Sequence, residues 1–453
     1  MAAAAPAGKG FFGHPRGLLY LAFTEVWERF SYYGMTALLG LYMVEQLLLP
    51  GHAEHVAGLA ALRHLFELRG PISNQAFASL IFGWYTGLVY FTPVLGGLIA
   101  DRLLGARRAV VLGALLMTAG HVAMAFDASF VAALALLIAG SGFLKGNIAA
   151  QVGQLYPEAA ESLRAQGFTI FSAAINIGSV MGPLACGALA EAYGWHAGFG
   201  CAGALMILAL LIYLAGQRHL PAGRPRRERA GREALTAAER KRVGLLALLI
   251  ALTVLPGVAY TMIWNIGLLW IDQHVDLGTP LGAVPVSWFN SVDSFFSVIA
   301  APPIVALWRW QARRGREPGD VAKIGIGSAL TGASALFMSA GALLPGPDGR
   351  AAVYWPLACF AGMGIAFLYY WPVLLALVSQ KAPRRIEATM IGCTYFALFG
   401  AGLVMGWVGS FYAEMDPASF WAVDAGFGLA GGLIVLLFGR RIQRALAPPI
   451  VDG

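Results

Sequence analysis

QRHLPAGRPRRERAGREALTAAERKR, residues 217–242, is the one long polar interruption in a chain of 453 residues. Working outward from it, six apolar runs precede the segment and six follow it. They lie near 18–49, 74–101, 108–127, 129–150, 164–190 and 197–217, then 243–274, 284–308, 323–345, 352–380, 388–413 and 417–439. Each run has roughly the 20 or more residues that an α-helix needs to cross about 30 Å of hydrocarbon. Backbone exposed to lipid must satisfy its own hydrogen bonds, so spans are helices or closed barrels, and long runs without alternation exclude a barrel. The expected fold class is an all-α integral membrane protein with twelve transmembrane helices in two six-helix bundles. The boundaries are a tail over 1–17, a first bundle over 18–217, a basic linker over 218–242, a second bundle over 243–440 and a tail over 441–453.

Composition agrees with a lipid solvent. Apolar residues make up 58% of the chain against 12% charged, where soluble domains carry about 25% charged residues. A net charge of +7 raises nucleic acid as a partner, but 26 of the 31 lysines and arginines collect in the two tails and in alternate loops. The positive-inside rule then puts both termini in the cytoplasm of a multi-pass inner (plasma) membrane protein. The first residues, MAAAAPAGKGFFGHPRG, lack the pattern of a cleaved signal. Cys186, Cys201, Cys359 and Cys393 have no paired or metal-binding spacing and are expected to be small packing residues.

Two motifs narrow the reading. After the second run comes GGLIADRLLGARR, residues 96–108. Gly96 and Gly97 would allow close helix approach, Asp101 can accept bonds from a neighbouring helix end, and Arg102, Arg107 and Arg108 hold the loop at the cytoplasmic face. This run resembles the conformational loop of the major facilitator superfamily, whose two halves place a substrate site near the membrane midplane. The first run contains EVWERFSYYGM, residues 25–35. Each ionised group at a bilayer centre costs at least about 2.5–3.5 kcal/mol on insertion scales. Glu25, Glu28, Arg29, Tyr32 and Tyr33 nevertheless build one polar stripe at helical spacing.

That stripe resembles the ExxERFxYY first helix of the proton-coupled oligopeptide transporter family. VYFTPVLGGLIADR with Tyr90, GSGFLKGNIA with Lys145 and FTIFSAAINIGS with Asn176 agree in order. The likeness weakens in the second half, where SWFNSVDSFF, RRGREP and YWPVLLALVSQKAP still align. The resemblance implies that Glu25 and Glu28 take part in proton coupling. It further implies that Arg29 tunes them and meets a substrate carboxylate, and that Tyr32, Tyr33, Tyr90, Lys145 and Asn176 line a central cavity.

The chain also departs from that pattern. Thr36 and Asn265 stand where the family has a second arginine and its glutamate partner; losing both leaves no buried charge unpaired. Phe367 replaces a glutamate on the tenth helix, and Ser172 and Thr394 replace larger aromatic residues. On the eighth helix an asparagine becomes Asp293, which would bind the substrate's amine, pair with Lys145 or carry the proton. Glu25, Glu28 and Asp293 against Arg29 and Lys145 sum to minus one, which a single proton neutralises. Substrate-binding candidates are thus Arg29, Tyr32, Tyr33, Tyr90, Lys145, Asn176, Asn265, Asp293 and Phe367.

The leading expectation is a monomeric proton-coupled symporter that imports di- or tripeptides, or a related amine-bearing molecule, by alternating access. Its partners would be that peptide-like substrate, protons and membrane lipid, with no nucleic acid. Two other readings stand beside it: a proton-antiporting exporter of drugs or metabolites, and a non-transporting sensor or scaffold on the same fold. No enzyme motif, metal-ligand pattern or phosphate-binding loop is present, so no cofactor beyond the proton gradient is expected.

Overall fold

A computed structural model describes residues 13–68, 70–157, 160–221, 235–279, 282–383 and 386–446. Much of the linker, and parts of both tails, lie outside the described residues. The helices are α1 (Arg16–Tyr42), α2 (Leu59–Phe66), α3 (Asn74–Ile99), α4 (Ala106–Ala123), α5 (Phe130–Gln154), α6 (Glu161–Tyr193) and α7 (Trp195–Gly216). They continue with α8 (Ala237–Leu252), α9 (Val254–Met262), α10 (Leu268–His274), α11 (Phe289–Arg313), α12 (Asp320–Leu343), α13 (Tyr354–Lys381), α14 (Glu387–Gly409) and α15 (Pro417–Leu446). The strands among the described residues are a two-residue antiparallel ribbon, Gly278–Thr279 against Gly282–Ala283.

All twelve expected spans fall on helix. Ten helical stretches are long and apolar enough to cross a membrane. The two others are α1, which carries Glu25, Glu28 and Arg29, and α4, shortened to 18 residues and bearing Arg107, Arg108 and His121. Charge within these helices, not a break in them, sets them apart. The seventh span is one stretch, Ala237–His274, in which a π-helical turn over Ile263–Gly267 joins α9 to α10. Such turns frequently mark functional sites.

The chain divides into two compact units. One takes its described residues from 1–69 and 91–228, the other from 70–90 and 229–453. Residues 70–90, the first part of α3, therefore group with the second half of the sequence, so α3 contributes to both units.

In the first unit α1 packs on α6 and α7, and α4 packs on α5 and α7. The α1–α6 contact follows from small residues at every fourth position. A Cβ added to Gly178 would stand 2.3 Å from the Val26 carbonyl oxygen, and one on Gly182 would stand 2.4 Å from that of Phe30. Lipid offers no hydrophobic drive between helices, so backbones this close gain their attraction from van der Waals contact. Cys186 continues the row against Gly34, and all four cysteines are free thiols.

In the second unit α12 packs on α13 and α15, α11 on α13, and α9 on α14 and α15. Large apolar side chains face outward, among them Trp407, Leu433, Leu437 and Phe438. This is the surface expected where lipid is the solvent.

Candidate functional site: two buried polar clusters

The first-helix stripe forms a compact ionic group. Arg29 Nε donates to Glu25 Oε1 at 2.8 Å and lies 2.6 Å from Glu28 Oε2. Glu25, Glu28 and Arg29 are all buried. The helix places Glu25 one turn before Arg29, and Glu28 immediately before it, so one guanidinium serves two carboxylates. Tyr32 follows one turn later. Its ring lies 4.1 Å from Lys145 Nζ of α5 and 5.8 Å from the Arg29 guanidinium carbon. Tyr33 meets Tyr32 edge-on, with ring centroids 5.1 Å apart. Glu25, Glu28, Arg29, Tyr32, Tyr33 and Lys145 are thus brought together within the first unit. With all four ionised, the charges of Glu25, Glu28, Arg29 and Lys145 cancel.

Asn176 is half-buried on α6, two residues before the Gly178 contact with α1. Tyr90 is half-buried on α3 and belongs to the second unit. Thr36 is buried and spends its hydroxyl on the Tyr32 carbonyl one turn back, at 2.7 Å, so no polar demand remains at that position.

The second unit carries its own cluster. Asp293 of α11 is buried, and its Oδ2 accepts from the Tyr260 hydroxyl of α9 at 2.7 Å. Tyr260 stacks on Phe367 at 5.6 Å and meets Trp264 at 5.2 Å and Tyr370 at 6.5 Å. Phe367, the residue that replaces a glutamate, is therefore part of an aromatic wall around the tyrosine that holds Asp293. Gly364 lets α13 approach here: a Cβ would stand 2.1 Å from the Asp293 carbonyl oxygen.

Asn265 lies apart from this wall in its contacts. Its side-chain nitrogen donates to Ser79 Oγ at 2.7 Å and lies 3.2 Å from the Met405 sulfur. It ties the π-helical turn to α3 and α14.

The loop motif divides by residue. Gly96 meets Gly142 so closely that a Cβ would stand 2.0 Å from its carbonyl oxygen, whereas Gly97 faces open space. Consecutive helical residues point about 100° apart, so only one of the two can face α5. Asp101, Arg102 and Arg108 are exposed. Arg107 instead turns inward and donates to the carbonyls of Gln217 and Leu220, just past the end of α7. A cation there also complements the helix dipole.

Sequence reasoning missed two further groups. At one end of the first unit, Asp127 accepts from the Tyr42 hydroxyl and contacts His196 Nε2 at 2.7 Å and His52 Nδ1 at 3.3 Å. Three stretches distant in sequence, around 42–52, 127 and 196, supply these residues, so no local pattern could reveal them. The other is Asp424 of α15, fully buried in the second unit. Its signal was visible as the sole acid in the last apolar run. Added to Glu25, Glu28, Arg29, Lys145 and Asp293, Asp424 brings the sum of those named charges from minus one to minus two.

The di-/tripeptide transporter of Lactococcus lactis subsp. cremoris is 31% identical to this chain, over 97% of the chain and 98% of that protein. The chain belongs to the POT family. A family model of that description matches residues 107–235. Solved structures of a POT peptide transporter superpose closely. One, in complex with sulfate, is 26% identical with a TM-score of 0.85, covering 96% of this chain and 97% of that one. Another, a mutant in complex with alafosfalin, is also 26% identical with a TM-score of 0.85, and covers 98% of both chains. As a POT-family member the chain is a multi-pass membrane transporter and not an enzyme. The ExxERFxYY stripe that first suggested the family is the same set of residues that forms the buried ionic group on α1.

Proposed function

We propose that this POT-family protein is a proton-coupled symporter that imports di- or tripeptides, or a related small amine-bearing substrate, by alternating access. The observation that carries the reading is the buried Glu25–Arg29–Glu28 group beside Lys145 and Tyr32. Two carboxylates sharing one guanidinium change their proton affinity when that cation is drawn elsewhere. A substrate carboxylate that competes for Arg29 would therefore couple binding to protonation. Asn176, Tyr33 and Tyr90 complete the first-half recognition surface in this reading. Asp293, held by Tyr260, meets the amine or carries a proton, beside Asn265 and Phe367. Gly96, Gly97, Asp101, Arg102, Arg107 and Arg108 form the conformational loop.

The same reading has two six-helix bundles over 18–217 and 243–440, joined by the linker 218–242. Both termini, 1–17 and 441–453, lie on the cytoplasmic side of the inner membrane. The protein works as a monomer in lipid, with the proton gradient as its driving force.

The test is uptake of labelled dialanine into proteoliposomes under an inward proton gradient. Accumulation that collapses with a protonophore is expected. Glu25→Gln and Glu28→Gln should each abolish accumulation while leaving dialanine counterflow. Gradient-driven accumulation unchanged in both variants would remove these carboxylates from the mechanism. Gradient-driven loss of preloaded substrate would favour the exporter, and absence of any flux the sensor.

A further inference from the structure

The second unit holds a buried carboxylate that the proposed mechanism does not use. Asp424 stands seven residues into α15, about 10 Å along its axis. It is fully buried, and neither carboxylate oxygen has a hydrogen-bond partner among the described residues. Trp421 precedes it by one turn on the same helix. Trp270 of α10 meets Trp421 edge-on, with ring centroids 6.4 Å apart. Gly341 of α12 lies at their crossing with α13, where an added Cβ would stand 3.0 Å from Trp355 and 3.2 Å from Trp270. One turn beyond Trp355, the Cys359 thiol is within electrostatic reach of Asp424. The indole N–H groups of Trp270, Trp355 and Trp421 are buried and have no acceptor among the described residues.

A carboxylate enclosed in this way, with no cation paired to it, is stable only as the neutral acid. Yet the same cluster offers unused N–H donors, the group an anionic carboxylate requires. The nearest in sequence is one helical turn away. An ionised Asp424 would need such a donor, whereas the neutral acid does not. A site able to hold both protonation states is what loading and unloading of a proton demands, and a merely packed residue needs neither.

We propose that Asp424 is a proton-binding residue of the transport cycle, separate from the first-helix carboxylates. It is neutral in the packing described here and ionised, with an indole N–H as partner, in another state of the cycle. Water on the acidic side gives up the proton as one O–H bond forms at Oδ1 or Oδ2. The O–H bond of a hydronium ion breaks as this one forms, and on the other side the carboxyl O–H bond breaks as a water molecule takes the proton. The titratable groups around it are few. Cys359 faces it from α13. His274 of α10 stacks on Trp270 at 5.7 Å. Tyr260 of α9 is committed to Asp293. On α12, Ser339 donates to the Ala418 carbonyl of α15 and Gly332 meets Ala425 and Leu429, none of which titrates. No lysine or arginine among the described residues forms an ion pair with Asp424.

This inference rests on the proton-driven reading above, so its test has one arm that needs transport and one that does not. The full-length protein in liposomes, with labelled dialanine as probe, gives the proton-to-peptide ratio from the pH gradient that just balances a set dialanine gradient. Asp424→Asn is expected to lower that ratio by one proton while dialanine counterflow stays within about twofold of wild type. An unchanged ratio with intact counterflow overturns the proposal. In the second arm, an acid-to-alkaline jump is followed by infrared difference spectroscopy. A carboxylic-acid carbonyl band should disappear in the wild type, be absent from Asp424→Asn and be displaced in Asp424→Glu. A band that persists through the jump would mark a permanently neutral acid and sink the idea. If Asp424→Asn does not fold, Asp424→Glu carries the infrared arm alone. Wild-type protein that fails to accumulate dialanine would count against the peptide reading, while the infrared result would still decide Asp424.

Discussion

Single side chains in this protein are held by few partners, so each substitution has a narrow set of consequences. Asp293 accepts from the Tyr260 hydroxyl at 2.7 Å and also from the Trp264 side chain and the Ser294 backbone. A hydrogen bond to a charged group is worth about 1.5–3 kcal/mol. Tyr260→Phe should lower stability by about that amount if Asp293 is ionised, with a fall in Tm seen by thermal unfolding in detergent. In an Asp293→Asn background the same change should cost less than about 1.5 kcal/mol, since hydrogen bonds between neutral groups are weaker. Equal losses in both backgrounds would mean that Asp293 is already neutral.

Arg29 is the converse case, one cation between two buried carboxylates. Removing one partner of a buried pair costs about 3–5 kcal/mol. Arg29→Ala should therefore be severely destabilised, and adding Glu25→Gln should recover most of the loss, because Glu28 then balances Lys145. The double variant remaining as unstable as Arg29→Ala would show that packing of the guanidinium, not charge, holds the group.

Among the elements, α1 and α6 depend most visibly on one residue type. Gly178 brings α6 against the Val26 carbonyl and the Arg29 Cβ, so a larger residue there would displace the helix that carries the ionic group. Overpacking costs about 1–3 kcal/mol. Gly178→Leu is expected to lower Tm, and also to weaken dialanine counterflow by shifting Arg29. At Gly97 a Cβ meets open space, so Gly97→Ala should leave Tm unchanged. A Gly178→Leu protein as stable as Gly97→Ala would refute the packing argument. The π-helical turn over Ile263–Gly267 is the corresponding device in the second unit. It presents Asn265 to Ser79 and Met405, and Trp264 to Tyr260.

At the scale of the whole molecule, the asymmetry of lysines and arginines predicts that both termini face the cytoplasm. Reporter fusions at the two ends that are active only in an oxidising, external compartment should both stay silent; activity at either end would reverse the assignment. The sequence by itself determined the helical spans, because their length and apolar character follow from the thickness of hydrocarbon and need no long-range contact. It also determined the first-helix group, since Glu25, Glu28, Arg29, Tyr32 and Tyr33 share one helix and periodicity alone aligns them. Only the tertiary structure decided which partners lie across helices. Tyr260 reaching Asp293, Phe367 stacking on Tyr260, Asp127 gathering Tyr42, His52 and His196, and Arg107 turning to the end of α7 all join residues that no local pattern links. It also decided which of Gly96 and Gly97 packs, and that residues 70–90 group with the second unit. The physical reason is the same throughout. Helical propensity and hydrophobic length are properties of a segment, whereas a hydrogen bond or a close backbone crossing belongs to two segments at once.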